Sequence, residues 1–229
     1  MKRKILVVDI GGTYVKLLMS RRVEREFVSG PRMGPAEFVD RFKQNVRGWN
    51  FDVASIGFPA PVRSGRIIRD PKHLGKGWVR FNFARALGIP VRVVNDAAMQ
   101  ALGSYHGGRM LFLGLGTGLG SALVWDKTLM PLELGDLPYP DGQIIENHLG
   151  IPGLELLGEK KWKREVAYAV TQLKKSFIAD HVILGGGLVH RFRRLPKGIE
   201  RGRNENALPG GIRLWETARD SRELKWRVL

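Results

Sequence analysis

The sequence contains no cysteine in its 229 residues. Disulfide bonds and metal sites built on thiolates are therefore excluded. The histidines also lack the spacing of a metal-binding motif, and the chain has five of them: His73, His106, His148, His181 and His190. We interpret each as a surface or hydrogen-bonded residue and expect no zinc site.

Long apolar runs are missing as well. No stretch reaches the roughly 18 consecutive apolar residues that a membrane-spanning helix needs. Asp9 interrupts the first apolar run after a few residues, which argues against a signal peptide. Hydrophobic residues make up 43% of the chain, an ordinary proportion for a globular protein. We therefore expect a cytoplasmic protein that does not associate with membranes.

Acidic residues are few compared with basic ones. The chain has 38 Lys and Arg residues against 22 Asp and Glu residues, a formal net charge of +16. Such a surplus favours a polyanionic partner, which could be nucleic acid, an acidic membrane or a polyphosphate chain. A basic surface without any special ligand has the same composition. Candidate contact clusters are Lys160-Lys161 and Arg191-Phe192-Arg193-Arg194.

One pattern occurs twice along the chain. "KILVVDIGGTYVKLLMS" and "RMLFLGLGTGLGSALVW" each combine an apolar strand, a glycine-rich turn and a second strand. A repeat of this kind predicts two α/β lobes built on one plan, with a cleft between them. We place the first lobe at residues 1–96 and the second at 97–208, and expect a terminal helix over about 209–229 to return to the first lobe.

Helices are predicted between these strands. "GPAEFVDRFKQNV" carries apolar residues at helical spacing, and "NFARALG" is a short helix with Asn82 as its cap and Gly88 as its end. "KKWKREVAYAVTQLKKSF" places its apolar residues on one face of a long helix. "GGIRLWETARDSRELKW" is predicted to close the chain as a helix.

Glycine-rich turns follow three of the apolar strands. They are Asp9 to Thr13 in "DIGGT", Gly116 to Gly118 in "GTG", and Gly185 to Gly187 in "GGG". Glycine allows backbone N–H groups to approach an anion closely, so three such turns favour a phosphate site, although each alone also fits an ordinary hairpin. No P-loop motif is present. The strand "SALVW" after "GLGTGLG" does not fit a dinucleotide-binding turn, which opens a helix.

Asn95 and Asp96 stand where the strand "IPVRVVND" changes into a helix. Asp is a good helix N-cap, and capping alone would explain it there. A carboxylate at the end of a strand beside the cleft could also act as a general base.

Seven motifs cover most of residues 5 to 211. In chain order they are "VVDIGGTYVK", "IGFPAPV", "KGWVRFNFARALGIPVRVVNDAAMQAL", "FLGLGTGLGSALV", "LELGDL", "DGQIIE" and "DHVILGGGLV". Together they resemble the ROK family of sugar kinases, and within it the polyphosphate glucokinases. The resemblance implies the two-lobed fold of actin-like ATPases, which is ribonuclease-H-like in each lobe. It also implies Mg²⁺ as cofactor and a homodimer.

The resemblance assigns a role to each candidate residue. Asp96 matches the catalytic base, and the sugar-binding positions are Asn95, Glu133, Asp136 and Glu146. Asp9 faces the donor phosphates and Mg²⁺, the latter directly or through water. The other donor-binding positions are Gly11, Gly12, Thr13, Gly116, Thr117, Gly118, Gly185 and Gly186. Asp136 is a departure, because the family usually has histidine there. An acceptor replaces a group that can donate, which bears on sugar identity and on activity.

The function implied is transfer of a phosphoryl group from polyphosphate, with ATP as a further donor, to the 6-hydroxyl of glucose. Its partners would be a small sugar and a polyanionic donor, with no nucleic acid. An ATP-only hexose kinase of another specificity and a non-catalytic sugar-binding protein remain as alternatives. A sugar-responsive regulator would need a DNA-binding domain before the first strand, and a nucleic-acid-processing enzyme would need a larger cluster of acidic residues.

Overall fold

The computed structural model describes residues 3–218 and 223–229. The first part forms β1 (Ile5–Ile10), β2 (Tyr14–Ser20), β3 (Val23–Val28), α1 (Pro35–Asn45), β4 (Val53–Phe58), β5 (Val62–Arg63), β6 (Arg66–Ile67), α2 (Phe83–Leu87) and β7 (Val91–Asn95). The second part forms α3 (Asp96–Ser104), β8 (Met110–Leu115), β9 (Leu119–Trp125), β10 (Thr128–Leu132), α4 (Ile145–Leu149), α5 (Ile151–Ser176), β11 (His181–Gly185), β12 (Ile199–Arg201), α6 (Ala207–Arg213) and β13 (Arg227–Val228).

Two mixed sheets have the same internal order. The first runs β3-β2-β1-β4-β7 and the second runs β12-β11-β8-β9-β10-β13. In each, a leading strand (β1 or β8) forms an antiparallel hairpin on one side and pairs with a parallel strand (β4 or β11) on the other. The predicted repeat is therefore confirmed, as is the α/β class. Parallel strands leave their carboxyl ends at one edge, where ligands bind in open α/β sheets.

Local signals in the sequence also predicted most helices. α1 and α2 form where expected. The Asn82 side chain accepts a hydrogen bond from the Arg85 N–H, and Gly88 ends α2 with a left-handed φ of 71°. The long helix α5 buries Trp162, Val166, Val170 and Leu173, and is interrupted at Gly158. None of the helices in the described part of the chain is long and apolar enough to cross a membrane.

The predicted terminal helix over about 209–229 is wrong for the described residues, and its positions 219–222 lie outside them. α6 ends at Arg213, Thr217 bridges to Leu224, and β13 pairs in parallel with β10 of the second sheet. The reason is that Trp226 is buried and Val228 half-buried between exposed neighbours, the alternation of a strand and not of a helix. α6 itself does pack against β1 and β4 of the first sheet.

The two sheets share one hydrophobic core, formed around α3 and α6. This core joins Val7 and Val94 of the first sheet to Phe112 and Ile183 of the second. The division into lobes of residues 1–96 and 97–208 therefore remains a prediction, because α3 contacts both sheets.

Glycine allows α3 and α6 to approach very closely. A Cβ added at Gly103 would overlap the carbonyl oxygen of Asn206, and one added at Gly210 would overlap the carbonyl oxygen of Met99. Because both partners are backbone atoms of packed helices, neither can move alone.

We expect Gly210→Ala to destabilise the protein by about 1–3 kcal/mol, because it overpacks the helix crossing. Helix propensity alone would give the opposite sign, a gain of up to about 1 kcal/mol. Urea unfolding measures the difference. Gly187→Ala is the matched control, since a Cβ there meets nothing within 4 Å. Equal stabilities of the two variants would contradict the close crossing.

Candidate active site

A cavity of about 260 Å³ opens between the two sheets, at the carboxyl ends of β1, β4 and β7. It is lined by residues of both halves of the chain. Nine of the predicted site residues line it: Gly12, Asn95, Asp96, Gly116, Thr117, Gly118, Glu133, Glu146 and Gly186. The other five, Asp9, Gly11, Thr13, Asp136 and Gly185, lie outside this lining.

Asn95 caps α3, and Asp96 does not. The Asn95 Oδ1 atom accepts a hydrogen bond from the Ala98 N–H at 3.2 Å, and its Nδ2 donates to the Ala60 carbonyl at 3.4 Å. Asp96 is the first helical residue, and its Oδ1 accepts from the Ala97 N–H at 2.8 Å. The capping role therefore belongs to the amide, which leaves the Asp96 carboxylate at the positive end of α3 and facing the cavity.

Asp96 and Asp9 form an electrostatically coupled pair of carboxyl groups. Desolvation raises the pKa of Asp96 to about 7, with a further contribution from the negative charge of Asp9. Desolvation likewise raises the pKa of Asp9 to about 6, partly opposed by Lys16. Gly57 lies between them, since a Cβ there would be 3.2 Å from Asp96 Cα and 3.4 Å from Asp9 Oδ1. A proton or a bound cation would reduce the electrostatic repulsion between the two carboxylates.

The glycine turns differ in what they offer the cavity. Within the described residues, no protein group accepts a hydrogen bond from the N–H of Gly12, Thr13, Thr117 or Gly118, so these amides are available to an anion. Gly11 instead closes the β1–β2 hairpin through its N–H to the Tyr14 carbonyl. Gly185 packs against the Phe112 ring, where a Cβ would come within 2.8 Å. Gly186 lines the cavity with a φ of +84°.

Arg69 and Lys72, which sequence reasoning missed, reach across the cavity to three carboxylates. Arg69 Nη2 lies 2.8 Å from Asp136 Oδ2 and 3.8 Å from Glu133 Oε2. Lys72 Nζ donates to Glu146 and lies 3.3 Å from Asp136 Oδ1. The charge-dense stretch "RDPKH" was the available signal, but its partners are more than 60 residues away in sequence.

This network also decides the ionisation of its members. The hydrogen bond from Arg69 lowers the pKa of Asp136, so that carboxylate is ionised near neutral pH. Desolvation raises the pKa of Glu133, and the charge of Asp136 adds to the effect. Asp136, predicted to contact sugar, is thus engaged by two basic side chains.

The loop that carries Arg69 and Lys72 is held against the first half of the chain by hydrogen bonds and by packing. Asp70 Oδ1 accepts hydrogen bonds from the N–H groups of Trp78 and Val79. Trp78 is fully buried, and its ring contacts Phe38 and Phe58. The two basic side chains therefore project from an anchored loop.

The basic clusters predicted to contact a polyanion lie outside the cavity lining. Lys160, Lys161 and residues 191–194 do not line it, and Arg191 pairs with Glu159 at 3.1 Å. The basic residues of the lining are Arg69, Lys72 and His73.

Comparison with known proteins relates this site to sugar kinases. The chain is 26% identical over 172 residues to the polyphosphate glucokinase of Mycobacterium tuberculosis, a match that covers 67% of this chain and 60% of the relative. The chain thus spans about 60% of the length of the curated relatives it matches. No protein-family model matches it.

Solved structures show the fold. The inorganic polyphosphate/ATP-glucomannokinase of Arthrobacter sp. strain KM has a TM-score of 0.77 at 22% identity, covering 91% of this chain and 96% of that chain. A ROK family glucokinase from Streptomyces griseus, in complex with glucose and AMPPNP, has a TM-score of 0.71 at 17% identity, with coverages of 90% and 97%. The predicted actin-like, two-lobed fold and the resemblance to ROK sugar kinases are confirmed.

We expect the Asp96 carboxyl to titrate near pH 7 and its midpoint to fall in Asp9→Asn. The substitution removes a negative charge that disfavours ionisation of Asp96, so less alkaline conditions suffice to ionise it. Carboxyl carbon NMR of aspartate-labelled protein, titrated without metal ions, measures the shift. Asp40→Asn, on the exposed side of α1, is the control. An unchanged Asp96 midpoint in Asp9→Asn would show that the two groups are not coupled.

Proposed function

We propose that this protein is a sugar kinase that transfers a phosphoryl group to the 6-hydroxyl of glucose, with Asp96 as the general base. The observation that carries the proposal is the position of Asp96. It faces one cavity together with the free amides of two glycine hairpins and with the carboxylates Glu133 and Glu146. An acceptor for a hydroxyl proton therefore lies beside an anion site and a polyol site.

Asp96 suits the removal of a proton from an alcohol. A sugar hydroxyl is a weak nucleophile at neutral pH, and a base is most effective when its pKa is near the operating pH. The raised pKa of Asp96, about 7, meets that condition. Because Asn95 caps the helix, Asp96 can change its protonation state without uncapping α3.

Glu133 and Glu146 are suited to bind the sugar. Carboxylates accept hydrogen bonds from hydroxyl groups, and a site that depends on them rejects analogues without those hydroxyls. Gly118 makes room for Glu146, because a Cβ at that position would collide with its carboxylate. The β8–β9 hairpin is therefore in direct contact with Glu146.

The residues present also fit Mg²⁺. Asp9 offers a desolvated carboxylate beside a second one, and hard cations prefer such oxygen ligands. When bound, Mg²⁺ would neutralise phosphate charge at the reacting end of the donor. The amides of Gly12, Thr13, Thr117 and Gly118 are placed to orient the donor's phosphate oxygens, and Asp96 to take the proton of the attacking hydroxyl.

For the donor we propose polyphosphate, with ATP as a second donor. The net charge of +16 supports this choice, since a polyphosphate chain carries about one negative charge per unit and would be held electrostatically. The names of the curated relatives and of the Arthrobacter enzyme agree with it. We also propose, from the resemblance alone, that the protein acts in the cytoplasm as a homodimer.

We expect Asp96→Asn to lower kcat for glucose 6-phosphate formation by at least about a hundredfold, because an amide cannot accept the proton. The assay compares polyphosphate with ATP at saturating Mg²⁺, and Asp40→Asn is the control. Glucose binding measured calorimetrically should change little. Turnover with ATP alone would remove polyphosphate from the proposal. No turnover with either donor across glucose, mannose and N-acetylated sugars would contradict the kinase function.

A further inference from the structure

The sugar site has an excess of hydrogen-bond acceptors. Asp96, Glu133, Glu146 and Asp136 are acceptors when ionised, and the Asn95 amide is already bonded to α3 and to Ala60. A sugar hydroxyl donates one hydrogen bond and also accepts, so a complete site needs donors. The usual ROK histidine could donate, but Asp136 in its place cannot when ionised.

Arg69 and Lys72 are the donors nearest to these carboxylates. Each bridges two of them, Arg69 between Asp136 and Glu133 and Lys72 between Asp136 and Glu146. Both line the cavity, and their side chains are 51% and 47% exposed, so a ligand can reach them. An arginine and a lysine together offer eight N–H donors, more than three carboxylates engage here.

We propose that Arg69 and Lys72 are sugar-binding residues, that Asp136 is the positioning residue that holds them there, and that together they replace the missing histidine. This inference rests on the proposed function, and it adds to the proposed sugar site the hydrogen-bond donors that the site needs. Asp136 is suited to the task because it contacts both basic groups with different oxygen atoms, Oδ2 for Arg69 and Oδ1 for Lys72.

The arrangement also joins the two halves of the cavity. Arg69 and Lys72 lie on the loop after β6, which belongs to the first half of the chain. Their partners lie in the second half, Glu133 and Asp136 just after β10 and Glu146 in α4. A hydroxyl bound between Lys72 and Glu146 would contact both sides at once.

A different role would give the opposite result. If Arg69 and Lys72 only blocked the carboxylates, their removal would free Glu133 and Glu146 and strengthen sugar binding. If they donate to the sugar, their removal weakens it. The sign of the change therefore decides between the two.

The test is glucose binding by calorimetry without phosphoryl donor, in Lys72→Met and Arg69→Met. We expect each to weaken binding by about tenfold to a hundredfold, the usual range for a hydrogen bond to a charged group. Arg66→Met is the control, since it removes the same charge from exposed β6 and does not line the cavity. Lys72→Arg should restore part of the affinity, and Asp136→Asn should weaken binding non-additively with Lys72→Met.

Two readouts separate sugar contact from a general structural effect. KM for glucose should rise in Lys72→Met while kcat at saturating glucose falls less than about threefold. Among monodeoxyglucoses, the one lacking the contacted hydroxyl should bind Lys72→Met and the unaltered protein equally. Stronger or unchanged glucose binding in both Met variants would overturn the inference, even if turnover confirms the kinase. Glucose binding without turnover would leave it supported while contradicting the proposed function.

A second, independent observation concerns His106, His181 and Glu200. Their ligating atoms all lie within 4.8 Å of one another. His181 begins β11, at the opposite end of that strand from Gly185, so this cluster is remote from the cavity. Among residues 3–218 and 223–229, the buried Nε2 of His181 has no hydrogen-bond partner, while His106 Nε2 lies 3.1 Å from Glu200 Oε2.

We propose that this cluster binds a divalent transition-metal ion such as Zn²⁺. Two imidazoles and a carboxylate are a recurrent zinc ligand set, with ligands at about 2.0–2.2 Å. The two rings are stacked at 4.4 Å, so binding requires the exposed His106 ring to turn until both nitrogens face the ion.

Calorimetric titration with Zn²⁺ at pH 7.5 tests the site. We expect His181→Gln and Glu200→Gln to weaken one binding event at least tenfold relative to the unaltered protein. His190→Gln, which lies outside the cluster, should leave it unchanged. Absence of Zn²⁺ binding in the unaltered protein, or Zn²⁺ binding in both cluster variants as tight as in the unaltered protein, would overturn the assignment.

Discussion

The hydrogen bond from the Ala98 N–H to the Asn95 side chain is the contact on which the active site depends. It starts α3 directly at the end of β7, with no intervening loop. Asp96 is therefore held at a fixed distance from both the sheet edge and the helix axis. Because α3 then continues into the core shared by the two sheets, the position of the carboxylate is tied to the packing of the whole molecule. Gly103 and Gly210, where α3 crosses α6, also fix the position of Asp96, since a wider crossing would displace α3.

The cavity is rich in acidic side chains, although the protein as a whole is strongly basic. A chain with a net charge of +16 lines one cleft with Asp96, Glu133 and Glu146, and Asp9 lies next to Asp96 across Gly57. Desolvation raises the pKa values of Asp9, Asp96 and Glu133, and neighbouring carboxylates add to the effect for Asp96 and Glu133. Cationic partners relieve this cost, and the protein supplies two of them itself in Arg69 and Lys72. For the remaining pair, Asp9 and Asp96, Lys16 is the basic residue whose charge partly opposes the effect at Asp9. This pair carries the proposed metal-binding and proton-accepting roles.

Most of what the sequence predicted correctly is encoded locally. The hairpins around Gly11-Gly12 and Gly116–Gly118, the cap at Asn82 and the strand-to-helix junction at Asn95 each depend on a few neighbouring residues. The features that were missed depend on distant ones. Arg69 meets Asp136 across 67 positions, and His106 meets Glu200 across 94, so no local pattern marks them. The terminal helix failed for the same reason: Trp226 is drawn into the core and β13 adds to β10, which overrides the helical spacing of the segment.

Asp136 shows how a local departure can be understood from its surroundings. Taken alone, replacing a neutral donor by a carboxylate removes a hydrogen bond to the sugar and adds repulsion to an acidic site. In the structure the carboxylate is neutralised by two basic side chains that the opposite half of the chain presents on an anchored loop. The number of donors facing the cavity therefore rises, although the residue at position 136 can no longer donate. Since those donors come from the other side of the cleft, the proposed sugar recognition is tied to contacts between the two halves of the chain: a sugar hydroxyl that enters between Lys72 and Glu146 would alter one of these contacts.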